Sequence, residues 1–345
     1  MMPIPTRSGA ATSNSNRVGR YYLVREIGRG SFGTVYVARD PVIDRNVAIK
    51  TRNAGPSATS NKQAEEQFIN EARAAGRLNH PNIITVFDAS TEGGAVFIAM
   101  EYLQGSELSK LLDAGTQFSA ADTVGICWKL ADALAHAHKN GVVHRDINPS
   151  NIFMVAGNQP KIFDFGIARA PNRLQDQHSD EDDAPFTLFH DNLIGTPNYM
   201  SPEQATGRQV DHLTDIYSLG AVMYEMLTQR KPFQSETTEK LLEAIAHKAP
   251  PSPHEINKAV PLGLSQIVMK AMSKRPEKRY QNAQEMAQDI DNFTAQERQR
   301  SAIADGSLPI SEAEPEMSSP LHSSVVKAAI GLITVAAAGA YYWFH

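Results

Sequence analysis

Three polar motifs in the middle of the chain have the residue types that phosphoryl transfer requires. They are His144-Arg145-Asp146, Asn151 and Asp164-Phe165-Gly166. Transfer of a phosphoryl group from ATP needs a carboxylate that orients the attacking hydroxyl, and Asp146 can supply it. It also needs oxygen ligands for the Mg2+ on the triphosphate, which Asn151 and Asp164 can supply. We therefore expect ATP and Mg2+ to bind here.

A glycine-rich segment near the start of the chain can cover a triphosphate. Residues 28–35 contain the pattern G-x-G-x-x-G, which dinucleotide-binding folds also use. A dinucleotide site needs a helix after the glycines, but residues 34–39 are β-branched and aromatic and predict a strand. We therefore expect a hairpin whose amides approach phosphate oxygens. Its predicted ATP contacts are Ile27, Gly28, Arg29, Gly30, Ser31, Phe32, Gly33, Thr34 and Val35.

A third predicted strand, Val47-Ala48-Ile49-Lys50, ends in a cation. A lone lysine at a strand end is usually a solvated surface charge, but the preceding glycine motif favours a phosphate contact. Residues 64–78 follow, and Phe68, Ala72, Ala75 and Leu78 have helical spacing within them.

In this order the motifs resemble the eukaryotic-type protein kinases, especially the bacterial serine/threonine kinases, over residues 21 to about 293. The resemblance implies an α+β, bilobal protein-kinase fold with a small β-rich N-lobe (residues 21–101) and a larger helical C-lobe (residues 104–293). ATP would bind between the lobes. Glu71, which precedes His80-Pro81-Asn82-Ile83, would hold Lys50 on the α- and β-phosphates.

The same resemblance assigns further residues. The hinge Met100-Glu101-Tyr102-Leu103 would hydrogen-bond adenine, with Met100 as gatekeeper, and Glu107 would contact the ribose. Asp215 would brace the catalytic loop, and Arg279 would pair with Glu203 of the segment Ser201-Pro202-Glu203. The expected catalytic set is Asp146, Lys50, Glu71, Asn151 and Asp164. The ATP set adds Lys50, Ala48, Met100, Glu101, Leu103 and Glu107 to the glycine-rich segment.

Asn148 departs from the pattern, because serine/threonine kinases usually carry a lysine there, beside the γ-phosphate. An asparagine amide can donate a hydrogen bond to that phosphate but brings no charge. One hypothesis is a slow enzyme, with transition-state stabilisation reduced by roughly 1–3 kcal/mol. The other is that magnesium and Lys50 suffice.

Two other function classes remain open. A pseudokinase would bind nucleotide and act as a signalling scaffold, and Asn148 is its only support. A small-molecule kinase of the aminoglycoside-phosphotransferase type would share the Asp146 and Asn151 loop. The Ser201-Pro202-Glu203 element and Gly195-Thr196-Pro197 favour a peptide-binding platform instead. Thr196 resembles the threonine that contacts the catalytic aspartate in kinases with protein Ser/Thr substrates.

The segment between Asp164 and Glu203 is long and contains an acidic stretch at residues 176–184. The simpler interpretation is a solvated acidic loop. The functional one is attraction of basic substrates or self-inhibition. Thr187 and Ser179 are the phosphorylation candidates, and a transient homodimer would allow autophosphorylation in trans.

Composition excludes little. A formal net charge of −5 gives no electrostatic case for nucleic acid as a partner. The single cysteine, Cys127, lies in an amphipathic helical stretch and is expected to be a buried apolar residue.

The two ends of the chain differ from its middle. Residues 1–20 lack an apolar run and predict a disordered tail, and residues 298–324 predict a flexible linker. Residues 325–344 are apolar and long enough for a transmembrane helix, with Lys327 in its first turn and an aromatic group at its end. The alternatives are a helix docked on the catalytic domain or an interfacial helix, which should show a charged face. We expect a single-pass membrane protein with a C-terminal anchor and a cytoplasmic kinase domain.

Overall fold

The computed structural model describes residues 17–30, 33–52, 68–70, 72–91, 96–165 and 197–304. Residues Met1–Ala295 form one compact unit and Gln296–His345 form a second. The first unit contains the sheet-rich and the helical part that the sequence predicts.

The small lobe contains one antiparallel sheet of six strands in the order β1-β2-β3-β4-β6-β5. Its strands are β1 (Arg17–Val18), β2 (Tyr21–Gly30), β3 (Gly33–Asp40), β4 (Arg45–Arg52), β5 (Val86–Ser90) and β6 (Phe97–Glu101). Alternate side chains form a compact core against one face, which includes Tyr21, Val47, Ile49 and Phe97. The predicted hairpin and the strand that carries Lys50 are confirmed as β2, β3 and β4.

The β2–β3 hairpin needs a glycine where β3 begins. A Cβ atom at Gly33 would lie 1.9 Å from the carbonyl oxygen of Thr51 in β4, so no other residue fits without moving the strand. Gly30 pairs with Gly33 across the turn. Two of the three glycines of the motif therefore define the end of this hairpin.

The predicted helix at residues 64–78 is shorter than expected in the described part of the chain. Residues 68–70 and 72–75 are helical, and a turn follows at residues 76 and 77. The main-chain N–H of Leu78 donates to Ala75, an i to i−3 bond that tightens the chain after Gly76. Glycine is a poor helix former, which explains the early end.

The large lobe is mainly helical. Its helices are α1 (Leu108–Asp113), α2 (Ala120–Lys139), α3 (Pro202–Ala205), α4 (Leu213–Thr228), α5 (Thr238–His247), α6 (Pro253–Ile256), α7 (Leu262–Ala271) and α8 (Ala283–Ala304). Helix α4 is buried along its whole length, so the other helices pack around it. Helix α2 begins with a capping box between Ser119 and Asp122. Cys127 is fully buried in α2, and burial raises the pKa of its thiol, as expected for an apolar core residue.

A second sheet of three antiparallel strands carries the catalytic motifs. Its strands are β7 (Gly105–Glu107), β8 (Ile152–Val155) and β9 (Gln159–Ile162). Asn151 directly precedes β8, and Asp164 follows β9 by two residues. Because β8 and β9 pair with Ile152 opposite Ile162, the two motifs come to the same end of this hairpin.

Two predicted boundaries differ from the structure. The sheet begins at Arg17 rather than at residue 21, since Arg17 and Val18 pair with β2. Helix α8 continues to Ala304, into the predicted linker at residues 298–324, because residues 294–304 contain neither proline nor glycine. None of the helices in the described ranges combines the length and apolar character needed to cross a bilayer. Residues 325–344 lie outside those ranges, so the membrane anchor stays a prediction.

Candidate active site

His144 joins the catalytic loop to the segment before Asp164. Its Nδ1 atom accepts a hydrogen bond from the main-chain N–H of Asp146 at 3.2 Å. Its Nε2 atom lies 3.0 Å from the carbonyl oxygen of Phe163, which can only accept, so Nε2 carries the proton. The buried ring packs against Phe165 with 4.8 Å between ring centroids. One imidazole therefore fixes both segments through their main chains.

Asp215, in the first turn of α4, holds the main chain of the catalytic loop. Its carboxylate accepts hydrogen bonds from the N–H groups of His144 at 2.8 Å and Arg145 at 2.7 Å. Arg145 has a left-handed φ of 65°, which is uncommon for a residue other than glycine, and these bonds stabilise it. A third donor is Nε2 of His138, at 2.8 Å. The expectation that Asp215 braces the catalytic loop is confirmed.

Lys50 and Asp164 meet in the cleft between the two lobes. Their side chains form an ion pair with 2.5 Å between Nζ and Oδ1, and Lys50 is buried. Asp164 has a left-handed φ of 58°, so the chain changes direction at this residue. The next side chain, Phe165, is fully buried in the core of the large lobe. The predicted phosphate-binding cation and the predicted magnesium ligand are therefore neighbours.

Asn151 links the catalytic loop to the segment before Asp164. Its Nδ2 donates to the carbonyl oxygen of Asp146 at 2.8 Å and to the carboxylate Oδ2 of Asp146 at 3.0 Å. Its carbonyl oxygen accepts from the N–H of Phe163, directly before Asp164. This arrangement directs the nitrogen of the side-chain amide to Asp146 and leaves the amide oxygen as the atom suited to Mg2+. Mg2+ usually binds one or two protein ligands together with substrate phosphates and water, so Asn151 and Asp164 would suffice as its protein ligands. Within the described residues no three His, Cys, Asp or Glu side chains form a metal cluster.

The predicted adenine-binding residues form one apolar cluster. Ala48 and Met100 are buried, and Val35 and Leu103 pack against them. Ile84 and Phe163 belong to the same cluster. Neither residue was assigned to the adenine site from the sequence, although Phe163 directly precedes Asp164 and Ile84 directly follows His80-Pro81-Asn82-Ile83.

The glycine-rich hairpin has the open space that a triphosphate would need. A Cβ atom at Gly28 or Gly30 would meet no other described atom within 4 Å. Arg29, between them, forms two hydrogen bonds with the carboxylate of Glu26, at 3.0 and 2.8 Å. Both side chains are exposed. The local geometry therefore fits the predicted phosphate-binding loop.

The two predicted acidic contacts for the nucleotide are engaged with lysines. Glu101 accepts from Lys161 Nζ and from the N–H of Thr85, both at 2.8 Å. The main-chain N–H of Glu101 also donates to Thr85, so the adenine contact predicted at this residue would fall to its main-chain carbonyl. Glu107 accepts from Lys110 at 2.7 Å on the exposed surface. Such an exposed pair is weak and would yield readily to a ribose hydroxyl.

Asn148 binds the catalytic aspartate through its side-chain amide. Its Nδ2 donates to the carboxylate Oδ1 of Asp146 at 3.0 Å and to the Asp146 carbonyl oxygen at 3.1 Å. Its Oδ1 accepts from the N–H of Ser150 at 2.9 Å. The amide is therefore directed at the catalytic carboxylate, a contact that the sequence did not predict.

Arg279 and Glu203 form a buried, two-pronged ion pair with N···O distances of 2.7 and 2.8 Å. Arg279 also donates to the carbonyl oxygens of Ser273, Leu213 and Lys274. Burial alone would raise the pKa of Glu203, but the hydrogen bonds and charge of Arg279 outweigh it and lower that pKa. The expected pair is confirmed, and it fixes α3 to the loop before α8.

Lys274 is a half-buried cation beside this pair. Its Nζ donates to the hydroxyl of Tyr217 at 3.1 Å and to the carbonyl oxygen of Ile245 at 2.6 Å, and it lies 4.2 Å from the centroid of the Phe233 ring. Burial and the charge of Arg279 lower its pKa to about 7.

The segment that begins at Pro197 is anchored to α4 and to the chain that follows α4. Asn198 donates to the carbonyl oxygen of Phe233 at 2.7 Å, and the Tyr199 hydroxyl donates to the carboxylate of Glu225. Burial raises the pKa of Glu225, and the hydrogen bond from Tyr199 opposes that rise only in part. Ser201 caps α3 by accepting from the N–H of Gln204. Asn198 and Tyr199 are buried, so these bonds hold the main chain beside the segment that the sequence predicts to be a peptide platform.

Several predicted residues lie outside the described part of the chain, so their assignments stay predictions. They are Ser31, Phe32, Glu71, Gly166, Ser179, Thr187 and Thr196.

Comparisons with known proteins agree with this geometry. A family model described as protein kinase domain matches residues 21–290. The serine/threonine-protein kinase PrkC of Bacillus subtilis is 36% identical over 273 residues, which are 79% of this chain and 40% of PrkC. Serine/threonine-protein kinase Pkn1 of Myxococcus xanthus is 38% identical over 268 residues, covering 76% of this chain and 37% of Pkn1. The chain thus spans about two fifths of the length of these relatives.

The fold has close counterparts among solved structures. The crystal structure of the Mycobacterium tuberculosis PknI kinase domain matches with a TM-score of 0.60 and 23% sequence identity. The match covers 81% of this chain and 98% of that domain. At this identity, the likeness bears on the fold alone.

Proposed function

The chain belongs to the protein kinase family, and from that premise we propose that it transfers the γ-phosphate of ATP to serine and threonine hydroxyls of proteins. The observation that carries the proposal is the convergence of Asp146, Asn151, Asp164 and Lys50 at the cleft between the lobes. The relatives' designation as serine/threonine-protein kinases supports the choice of acceptor.

In this proposal, Asp146 accepts a hydrogen bond from the substrate hydroxyl and orients its oxygen towards the γ-phosphorus. The oxygen–phosphorus bond forms, the bond between the γ-phosphorus and the β,γ-bridging oxygen breaks, and ADP leaves. The hydroxyl proton passes to Asp146 and then to solvent. Lys50 neutralises phosphate charge, and Asn151 and Asp164 would hold Mg2+, which supplies further charge stabilisation.

Radiolabelled phosphate transfer to a generic basic protein tests this function in the full-length chain. Asp146→Asn and Lys50→Met should each reduce transfer by at least about a hundredfold. Asp291→Asn and Lys240→Met are matched controls on exposed helix surfaces and should transfer at the wild-type rate. Transfer by Asp146→Asn at the wild-type rate would refute the role of Asp146.

The same assay separates the rival functions. ATP binding by the wild-type protein without transfer to any protein would support the nucleotide-binding scaffold. Transfer to an aminoglycoside but not to protein would support the small-molecule kinase. The buried hydrogen bonds of Asn198 and Tyr199, which hold the chain directly after Gly195-Thr196-Pro197, support a protein acceptor.

We also propose that residues 325–344 tether the kinase to a membrane, with the kinase domain in the cytoplasm. The apolar length of this segment, Lys327 in its first turn and the aromatic residues at its end support the tether. Arg298, Arg300 and Lys327 precede the segment's apolar part, which favours the cytoplasmic orientation. Autophosphorylation at Thr187 or Ser179 through a transient homodimer belongs to the same proposal, and mass-spectrometric mapping of phosphorylated sites tests it.

A further inference from the structure

Asn148 has an amide whose orientation is fixed by its partners. The N–H of Ser150 must donate, so it faces the amide oxygen of Asn148, at 2.9 Å. The amide nitrogen then faces Asp146, where it meets the carboxylate Oδ1 and the carbonyl oxygen at 3.0 and 3.1 Å. Both N–H bonds of this nitrogen thus have acceptors on one residue.

The carboxylate of Asp146 is held from two sides. Asn148 donates to Oδ1, and Asn151 donates to Oδ2, each at 3.0 Å. Both amides also donate to the carbonyl oxygen of Asp146. Because each carboxylate oxygen has its own donor, rotation of the carboxylate about its terminal bond would break two hydrogen bonds to a charged group.

The local chain geometry supports this arrangement. Asn148 is extended, with φ of −156° and ψ of 165°, and caps the short 3-10 turn Pro149–Asn151. Pro149 is buried, and its ring fixes φ at the first position of the turn. A lysine at residue 148 has no acceptor for the N–H of Ser150, so asparagine provides a cap that the family's usual lysine cannot.

Resting on the function proposed above, we propose that Asn148 is a positioning residue that holds the Asp146 carboxylate for the substrate hydroxyl. Asn151 donates to Oδ2 and Asn148 donates to Oδ1, so the two amides hold different oxygens of the carboxylate. The amide oxygen of Asn148 caps the turn while its nitrogen holds Asp146, so both ends of this amide are engaged. Where the family usually has a lysine beside the γ-phosphate, this chain has an asparagine that gives the catalytic carboxylate a second hydrogen-bond donor.

Two substitutions separate this role from simple capping of the turn. Asn148→Ser and Asn148→Asp both retain an oxygen that can accept from the N–H of Ser150, so both preserve the cap. Serine removes the amide donor, and aspartate replaces it with a second carboxylate that repels Asp146. If the only role of Asn148 is to cap the turn, Asn148→Ser should behave as wild type.

We expect Asn148→Ser to lower kcat for peptide phosphorylation by about tenfold or more, and Asn148→Asp to lower it further. The KM for ATP, the ATP dissociation constant and the thermal unfolding midpoint should stay close to the wild-type values. In the Asp146→Asn background, Asn148→Ser should cause little additional loss of the residual rate, because the two residues act as one unit.

The outcomes are distinguishable. Wild-type kcat in Asn148→Ser would overturn the positioning role while leaving the kinase function in place. The same fold loss in the Asp146→Asn background as in wild type would also overturn it, because the effect would not act through the carboxylate. An inactive wild-type protein would overturn the kinase function and this inference with it.

Discussion

Replacing Arg279 by methionine should strongly destabilise the large lobe. The substitution removes a fully buried guanidinium that donates to both carboxylate oxygens of Glu203 and to three main-chain carbonyl oxygens. Glu203 then remains buried without a cation. The loss of one partner from a buried pair typically costs about 3–5 kcal/mol, and we expect a loss in that range.

Arg275→Met provides the matched control. Arg275 lies four residues before Arg279 and also pairs with a glutamate, Glu277, at 2.6 Å, but both side chains of that pair are exposed. Exposed pairs contribute about 0–1 kcal/mol. Urea unfolding, followed by circular dichroism, should therefore show a large fall in midpoint for Arg279→Met and almost none for Arg275→Met.

The pH dependence provides a second readout. Because the pKa of Glu203 is lowered in the folded protein, the stabilisation is present above its unfolded pKa and is lost as pH falls through the lowered value. The difference in the free energy of unfolding between wild type and Arg279→Met should thus become smaller in acid. Equal unfolding free energies for Arg279→Met and Arg275→Met at neutral pH would refute the reasoning from burial.

Four further outcomes are expected. Asp215→Asn should lower kcat by about a hundredfold in peptide phosphorylation, because an amide cannot accept all three hydrogen bonds; an unchanged rate would contradict the brace. The pKa of Lys274 is about 7 when folded and 10.5 when unfolded, so between these values stability should rise with pH. In Lys274→Met the urea midpoint should rise less between about pH 7 and about pH 9 than it does in wild type, and an equal rise in both proteins would show that Lys274 is not its cause. Deletion of residues 325–345 should move the protein from the membrane to the soluble fraction with kinase activity intact; full-length protein released by carbonate without detergent would refute the anchor. Thr187→Ala should reduce activity only modestly, whereas complete inactivation rescued by Thr187→Glu would show a phosphorylation switch.

The elements that the sequence predicted well are those with local signals. The hairpin follows from glycines next to β-branched residues, and β4 follows from its apolar run before Lys50. The roles of Asp215 and Arg279 were predicted from the resemblance. Both are confirmed, since Asp215 binds the catalytic loop and Arg279 pairs with Glu203.

The contacts that the sequence did not predict join residues far apart in the chain. His138 binds Asp215 across 77 positions, and Lys161 binds Glu101 across 60. No periodic pattern marks such pairs, since they depend on how packed elements meet. The contacts of Asn148 are local, but its residue type does not tell whether the amide faces a ligand or its own turn, and the structure shows it donating to Asp146.

The hydrogen bonds from the catalytic loop to Asp215 also bear on the order in which the protein becomes competent during synthesis. Arg145 adopts its left-handed conformation with support from a carboxylate 70 residues further along the chain. A nascent chain that has released Asp146 and Asp164 from the ribosome, but not yet α4, therefore lacks this support. Synthesis of every predicted catalytic side chain thus precedes the arrival of the carboxylate that holds the catalytic loop in place.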